Sequence, residues 1–138
     1  MSEYMKPVPA PDHVTAEFWA AAKRRKLLIQ RCEDCGARQS LPQACCRSCL
    51  SEKVTWSETS GRGTVYSYTT IHRPPSPRFA TDVPYTLALV ELEEGVRLLS
   101  NIIGIPPEDV RVAMPVEVVF DDISPTISLP RFRPRGQP

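Results

Sequence analysis

Apolar and polar positions alternate along this chain in short runs, and the period of the runs changes once. Between Thr15 and Leu28 the segment TAEFWAAAKRRKLL places Phe18, Trp19, Ala22 and Leu27 near one helical face, with Ala20 and Ala21 as good helix formers. The pattern predicts a short helix capped by Thr15, with Glu17 in its first turn against the positive helix end. Leu27 to Arg31 and Val54 to Glu58 read as short strands on either side of a cysteine-rich stretch. From Ser60 onward the period is two. GTVYSYTTIHR is dense in β-branched and aromatic residues. PYTLALVELEEGVRLLSNIIG reads as two strands joined at Glu94-Gly95. In the first of these, Leu87, Leu89 and Glu91 alternate with Ala88, Val90 and Leu92, so both faces are partly covered. Pro106 to Val110 is a turn or a single helical turn, PVEVVFDDIS a fourth strand, and Ile127 to Phe132 a short fifth. The basic tail RFRPRGQP is expected to fray after Phe132.

Five short strands in about 75 residues, with turns every 8–12 residues or so, predict a small closed barrel rather than an open sheet. The fold class is therefore mainly β, and the expected division is 1–26 for a lead-in and helix, 27–59 for a metal module, 60–134 for the barrel and 135–138 for a tail. Fifteen prolines suit short strands and turns better than long helices; Pro7, Pro9 and Pro11 keep the lead-in extended.

Charge narrows the function classes. The 138 residues carry 17 Lys and Arg against 16 Asp and Glu, a net charge of +1, which argues against a protein that lives on the nucleic-acid backbone. Apolar runs fall far short of the roughly 18 residues a membrane span needs. The N-terminus has proline and acid where a signal peptide has a basic start and an apolar core, so a cytoplasmic location is expected. Five cysteines in a reducing compartment then point to metal rather than to disulfides.

The chemistry is concentrated in CEDCGARQSLPQACCRSC. Cys32/Cys35 and Cys46/Cys49 are two Cys-x-x-Cys turns separated by a short loop, the spacing of a structural zinc site in which four soft ligands converge. Gly36, directly after Cys35, suits the positive φ of a metal knuckle. Cys46 is the expected third ligand because it stands two residues before Cys49, leaving Cys45 as a spare thiol; Trp56 is expected to cover the site. Binding one zinc ion would be part of folding such a small module. Iron in the same four thiolates, serving electron transfer, is the alternative metal reading. Zinc ribbons and small barrels also occur in nucleic-acid-binding proteins, and Tyr66 and Tyr68 alternate as a stacking platform would require, although packing on one barrel face explains them equally.

Taken in order, FW…KLLIQRC-x-x-CG…C-x-x-C, SGRGTVYSYT, PYTLALVEL-x-EGVRL, NIIG, PEDVRVAMPVEVVF and LPRF resemble the DUF35 family over residues 16–134. The resemblance implies a rubredoxin-like zinc ribbon followed by a five-stranded OB-fold, with Cys32, Cys35, Cys46 and Cys49 as the zinc ligands. Cys45 before the third ligand and Leu50 after the fourth, where glycine is common, depart from the family pattern. The resemblance also implies a non-catalytic accessory subunit in a hetero-oligomer with a thiolase-like enzyme, be it a thiolase, an aldolase of that fold as in steroid side-chain degradation, or a condensing enzyme. A CoA thioester would then lie at the shared interface.

The residues agree with a role other than catalysis. A four-thiolate zinc site has no open position for water, and His72 has no nucleophile beside it in sequence. The acids Asp82, Glu91, Glu93, Glu94, Asp121 and Asp122 fall at turns and strand edges and read as solvated. For the phosphates of a CoA thioester the candidate contacts are Arg24, Arg25, Arg73 and Arg78.

Overall fold

A computed structural model of the chain describes residues 4–136. One α-helix, α1 (Ala16–Lys23), precedes eight strands: β1 (Leu28–Cys32), β2 (Arg38–Gln39), β3 (Val54–Glu58), β4 (Arg62–Ile71), β5 (Tyr85–Leu92), β6 (Arg97–Ile102), β7 (Pro115–Asp122) and β8 (Ser128–Pro134). The first three make an antiparallel sheet in the order β2-β1-β3. The other five close into a barrel in the order β4-β5-β6-β8-β7. The chain is thus mainly β, with a helix, a four-cysteine ribbon and an OB-type barrel in sequence.

Alternation is what builds the barrel. β5 runs half-buried and buried by turns from Tyr85 to Leu92, so Thr86, Ala88, Val90 and Leu92 point inward. Ala88, Val90 and Leu92 join Val65, Val96, Ile102, Val110, Val116 and Phe132 in a core that also includes Leu27 and Ile29 from the foot of the ribbon. Closure requires the start of β4 to lie tight against β5 and β7. Gly61 sits at φ 77° with room for nothing larger, since a Cβ there would stand 2.6 Å from Val118 Cγ1. At Gly63 a Cβ would collide with the backbone of Glu91 and Leu92. The Gly61-Arg62-Gly63 turn is therefore a close-approach device rather than a loose hinge.

The two chain crossings between ribbon and barrel meet at the Leu27 carbonyl. Leu27 O accepts both the Thr59 N–H (3.0 Å) and the Thr59 hydroxyl (2.9 Å), so the chain enters and leaves the ribbon at the same point. Arg38 donates to Glu94 O, and the Ser60 N–H to the Glu94 carboxylate, bracing the ribbon against the β5–β6 turn.

Two local expectations differ from the structure. Thr15 occupies the N-cap position but makes no side-chain cap hydrogen bond; its hydroxyl is taken up by Asp12, accepting the Asp12 N–H and donating to Asp12 Oδ1, while Asp12 Oδ1 also accepts the Val14 and Thr15 N–H groups in an Asx turn leading into the helix. The tail does not fray at Phe132: Arg133 and Pro134 remain in β8, opposite Glu117 and Val116, and Arg133 pairs with the Glu117 carboxylate. The helix lies against β7 and β8 of the barrel and against β1 of the ribbon. Phe18 lies against the shared core and meets Trp19 edge-to-face at 5.0 Å, while Trp19 lines a cleft beside β6 and β8. No helix among the described residues is long and apolar enough to cross a membrane.

Candidate metal centre

The four sulfurs of Cys32, Cys35, Cys46 and Cys49 lie within 4.8 Å of one another. Cys32 Sγ is 3.6 Å from Cys49 Sγ, and Cys35 Sγ is 3.6 Å from Cys46 Sγ. Four thiolates at a zinc–sulfur distance of about 2.3 Å stand about 3.8 Å apart at tetrahedral corners, so the donor set and its spacing both fit one zinc ion. In each pair the first cysteine is buried and the second exposed, which puts the centre just beneath the surface. Cys45 is half-buried and outside the cluster. Gly36 has φ 76°, the left-handed turn its position calls for, and Leu50 adopts φ 65° where glycine would sit without strain. Trp56 is half-buried and stands opposite Gln30 in the β1–β3 ladder, two residue pairs along from the Cys32–Val54 pair.

Backbone N–H groups are aimed at sulfur in both turns. The Cys35 N–H lies 3.5 Å from Cys32 Sγ and the Ser48 N–H 3.3 Å from Cys46 Sγ. These donors favour thiolate: Cys46 is lowered to about 6, first by the Cys49 and then by the Ser48 N–H, and Cys32 is lowered by the Cys35 N–H. Cys49 moves the other way, to about 12. The Ser51 N–H favours its thiolate, yet the facing Cys32 sulfur and loss of solvent outweigh it. Cys35 is likewise raised, chiefly by Cys46, against the pull of the Ala37 N–H. Four sulfurs this close cannot all ionise unless a cation lies among them, and a divalent ion is what the arrangement accommodates. When bound by four thiolates, zinc is saturated and supplies cross-linking rather than water activation.

Two buried polar residues beside this centre were not singled out from the sequence. Gln30 and Gln39 face each other in the β1–β2 pair, and each is only 4% exposed. A glutamine at an inward strand position two residues before a ligand was the available signal.

The phosphate candidates are dispersed in role. Arg25, at φ 66°, is engaged by Asp122 through two hydrogen bonds, and Lys23 reaches the same carboxylate. Arg78 borders a groove whose other charged residues are Lys6, Asp82, Asp121 and Asp122, a wall with more acid than base. Arg24 and Arg73 are exposed and make no ion pair among the described residues. Tyr66 is covered by Arg97, whose guanidinium lies 3.7 Å from the ring centroid and is held by Glu91.

Comparison with known proteins places these features in a family. Residues 19–55 match the ChsH2 rubredoxin-like zinc ribbon domain, and residues 56–121 the ChsH2 C-terminal OB-fold domain. A DUF35 domain-containing scaffold protein of Methanocaldococcus jannaschii is 38% identical over 112 residues, which are 79% of this chain and 78% of that protein. The chain belongs to the DUF35 family. Among solved structures, a chain of the Ltp2-ChsH2(DUF35) aldolase superposes with a TM-score of 0.81 at 42% identity, covering 92% of this DUF35 chain and 98% of that one. A probable enoyl-CoA hydratase alpha subunit of Thermomonospora curvata is 42% identical over 130 residues. That match takes in 94% of the present DUF35 chain but only 40% of the Thermomonospora protein, so the chain spans about two fifths of that relative's length.

Proposed function

We propose that this chain is a non-catalytic accessory subunit that binds a thiolase-fold enzyme acting on acyl-CoA and supports its CoA-thioester site. The observation that carries the reading is the match over 98% of a chain from an aldolase whose name joins Ltp2 to ChsH2(DUF35). Relatives named as scaffold proteins and as a hydratase alpha subunit support the same role, that of a chain working beside another. The metal centre supports it too, because four thiolates leave no coordination position for a reacting group. Arg24, Arg73 and Arg78 remain the candidate contacts for CoA phosphates at the interface; Arg25 is already committed to Asp122. Steroid side-chain degradation is one setting in which such a subunit would work, and the ribbon and barrel are the two modules it would present.

Co-expression with the thiolase-fold enzymes of the same genome tests this. One of them should copurify with the chain and lose activity or solubility without it. A full set of such enzymes, each active and stable alone and none retained by the chain, would overturn the proposal.

A further inference from the structure

The buried glutamine pair makes a pattern of bonds that a packing role does not explain. Gln39 Nε2 donates to Gln30 Oε1 at 2.7 Å. Gln30 then treats residue 43 as a strand neighbour would: its Oε1 accepts the Gln43 N–H (2.9 Å) and its Nε2 donates to Gln43 O (3.0 Å). Gln39 does the same across the third ligand. Its Nε2 donates to Cys45 O (3.2 Å) and its Oε1 accepts the Arg47 N–H (3.0 Å), so the backbone is pinned on both sides of Cys46. Two side-chain amides thereby stand in for peptide units.

The reason lies in the shape of the ribbon. β2 has only two residues, and the loop from Ser40 to Cys45 joins no ladder, so no strand dictates where the second Cys-x-x-Cys turn sits relative to the first. Gln30 stands two residues before Cys32 on β1, and Gln39 follows the first turn on β2. Both are therefore fixed to the first knuckle, and both hold the second. Buried amides with this many partners are costly to displace, since a shifted loop would leave donors and acceptors unpaired.

We infer that Gln30 and Gln39 are the positioning residues of the metal centre, setting the Cys46/Cys49 turn at ligand distance from the Cys32/Cys35 turn. They touch no metal. Their role is to fix the backbone that carries Cys46, as partners one layer out from the ligands do in other metal sites.

The test uses the full chain loaded with zinc or with cobalt. Gln39→Met keeps the length and burial of the side chain but removes its hydrogen bonds. It should lower zinc affinity, measured by chelator competition, by about 10- to 100-fold, and should shift the cobalt–thiolate absorption bands. Val65→Ala, a core truncation in the barrel, is the control for lost stability; it should lower the melting temperature while leaving zinc affinity within about twofold. Zinc affinity unchanged in Gln39→Met, or equal losses in both variants with unshifted cobalt bands, would overturn the inference. A second measurement stands if Gln39→Met does not fold. In the wild-type protein the Gln43 and Arg47 amide protons should exchange as slowly as those of the β1–β3 ladder, and exchange at free-loop rates would overturn it as well.

Discussion

Arg25 and Asp122 form a two-pronged ion pair, Nη1 to Oδ1 at 2.9 Å and Nη2 to Oδ2 at 2.7 Å, between the end of α1 and the end of β7. The Ser128 hydroxyl and Lys23 share the same carboxylate. The pair fastens the helix to the last hairpin of the barrel, and it accounts for an arginine held at positive φ, a backbone state whose strain must be offset locally. The Asp122 carboxyl is held well below its ordinary value of 3.8, first by Arg25, then by Ser128. Because the folded value is the lowered one, this contribution is fully present above pH 3.8 and is lost as pH falls through the folded value. In an acid titration followed by melting temperature, Asp122→Asn should be less stable than wild type at neutral pH, and the gap should begin to close below about pH 4 and go on closing as the pH falls further. Salt near 1 M should narrow the gap at neutral pH, since both side chains are about half exposed.

Cys45 and Cys46 are adjacent, but only Cys46 Sγ belongs to the cluster. Metal analysis of purified protein should find one zinc per chain in wild type and in Cys45→Ser. Cys46→Ser should lose it and unfold the ribbon, seen as a fall in β-sheet circular dichroism. Strong chelation of the wild type should reproduce the Cys46→Ser spectrum, because metal binding and ribbon folding are linked.

Phe132 is fully buried at the centre of the core shared by ribbon and barrel. Phe132→Ala should cost about 3–5 kcal/mol in denaturant unfolding, by loss of buried area and the cavity left behind. Gly63→Ala adds one methyl group and should be as damaging, since the colliding atoms are backbone and cannot rotate away. Replacement of Gly61 by Ala should be relieved in part by Val118→Ala, which removes the side chain it would strike.

Arg24, Arg73 and Arg78 are free of ion pairs among the described residues, whereas Arg25 is not. If the former meet CoA phosphates, Arg73→Ala and Arg78→Ala should raise the KM of the assembled enzyme for its CoA thioester with little change in melting temperature. Arg25→Ala should show the reverse, a lower melting temperature at an unaltered KM.

The barrel was legible because apolar and β-branched runs mark its strands: β5 carries its burial in strict alternation, β7 begins at Pro115 where the fourth run does, and Gly95 and Pro106 fall in the connections after β5 and β6. The four-cysteine cluster was equally open, being a spacing between like residues. What the sequence hid are contacts without a period. β2 is too short for any alternation to register, and its place is set by Gln39, a polar side chain where an apolar one would ordinarily mark the inside. Lys23 and Arg25 find their partners Asp122 and Ser124 about a hundred residues away, so no local pattern announces the pairing, and Arg25 read as a phosphate contact instead. The destination of Phe18 was hidden for the same reason.

The Leu27 carbonyl, which takes both bonds from Thr59, makes residues 28–58 a cassette spliced into the chain at a single seam. Exchange for a ribbon of another length would have to restore that seam, the apolar foot made by Ile29 and the brace on the β5–β6 turn, and would leave the strand order of the barrel untouched. A change in the reach of the four-cysteine tip would thus leave the barrel register as it is.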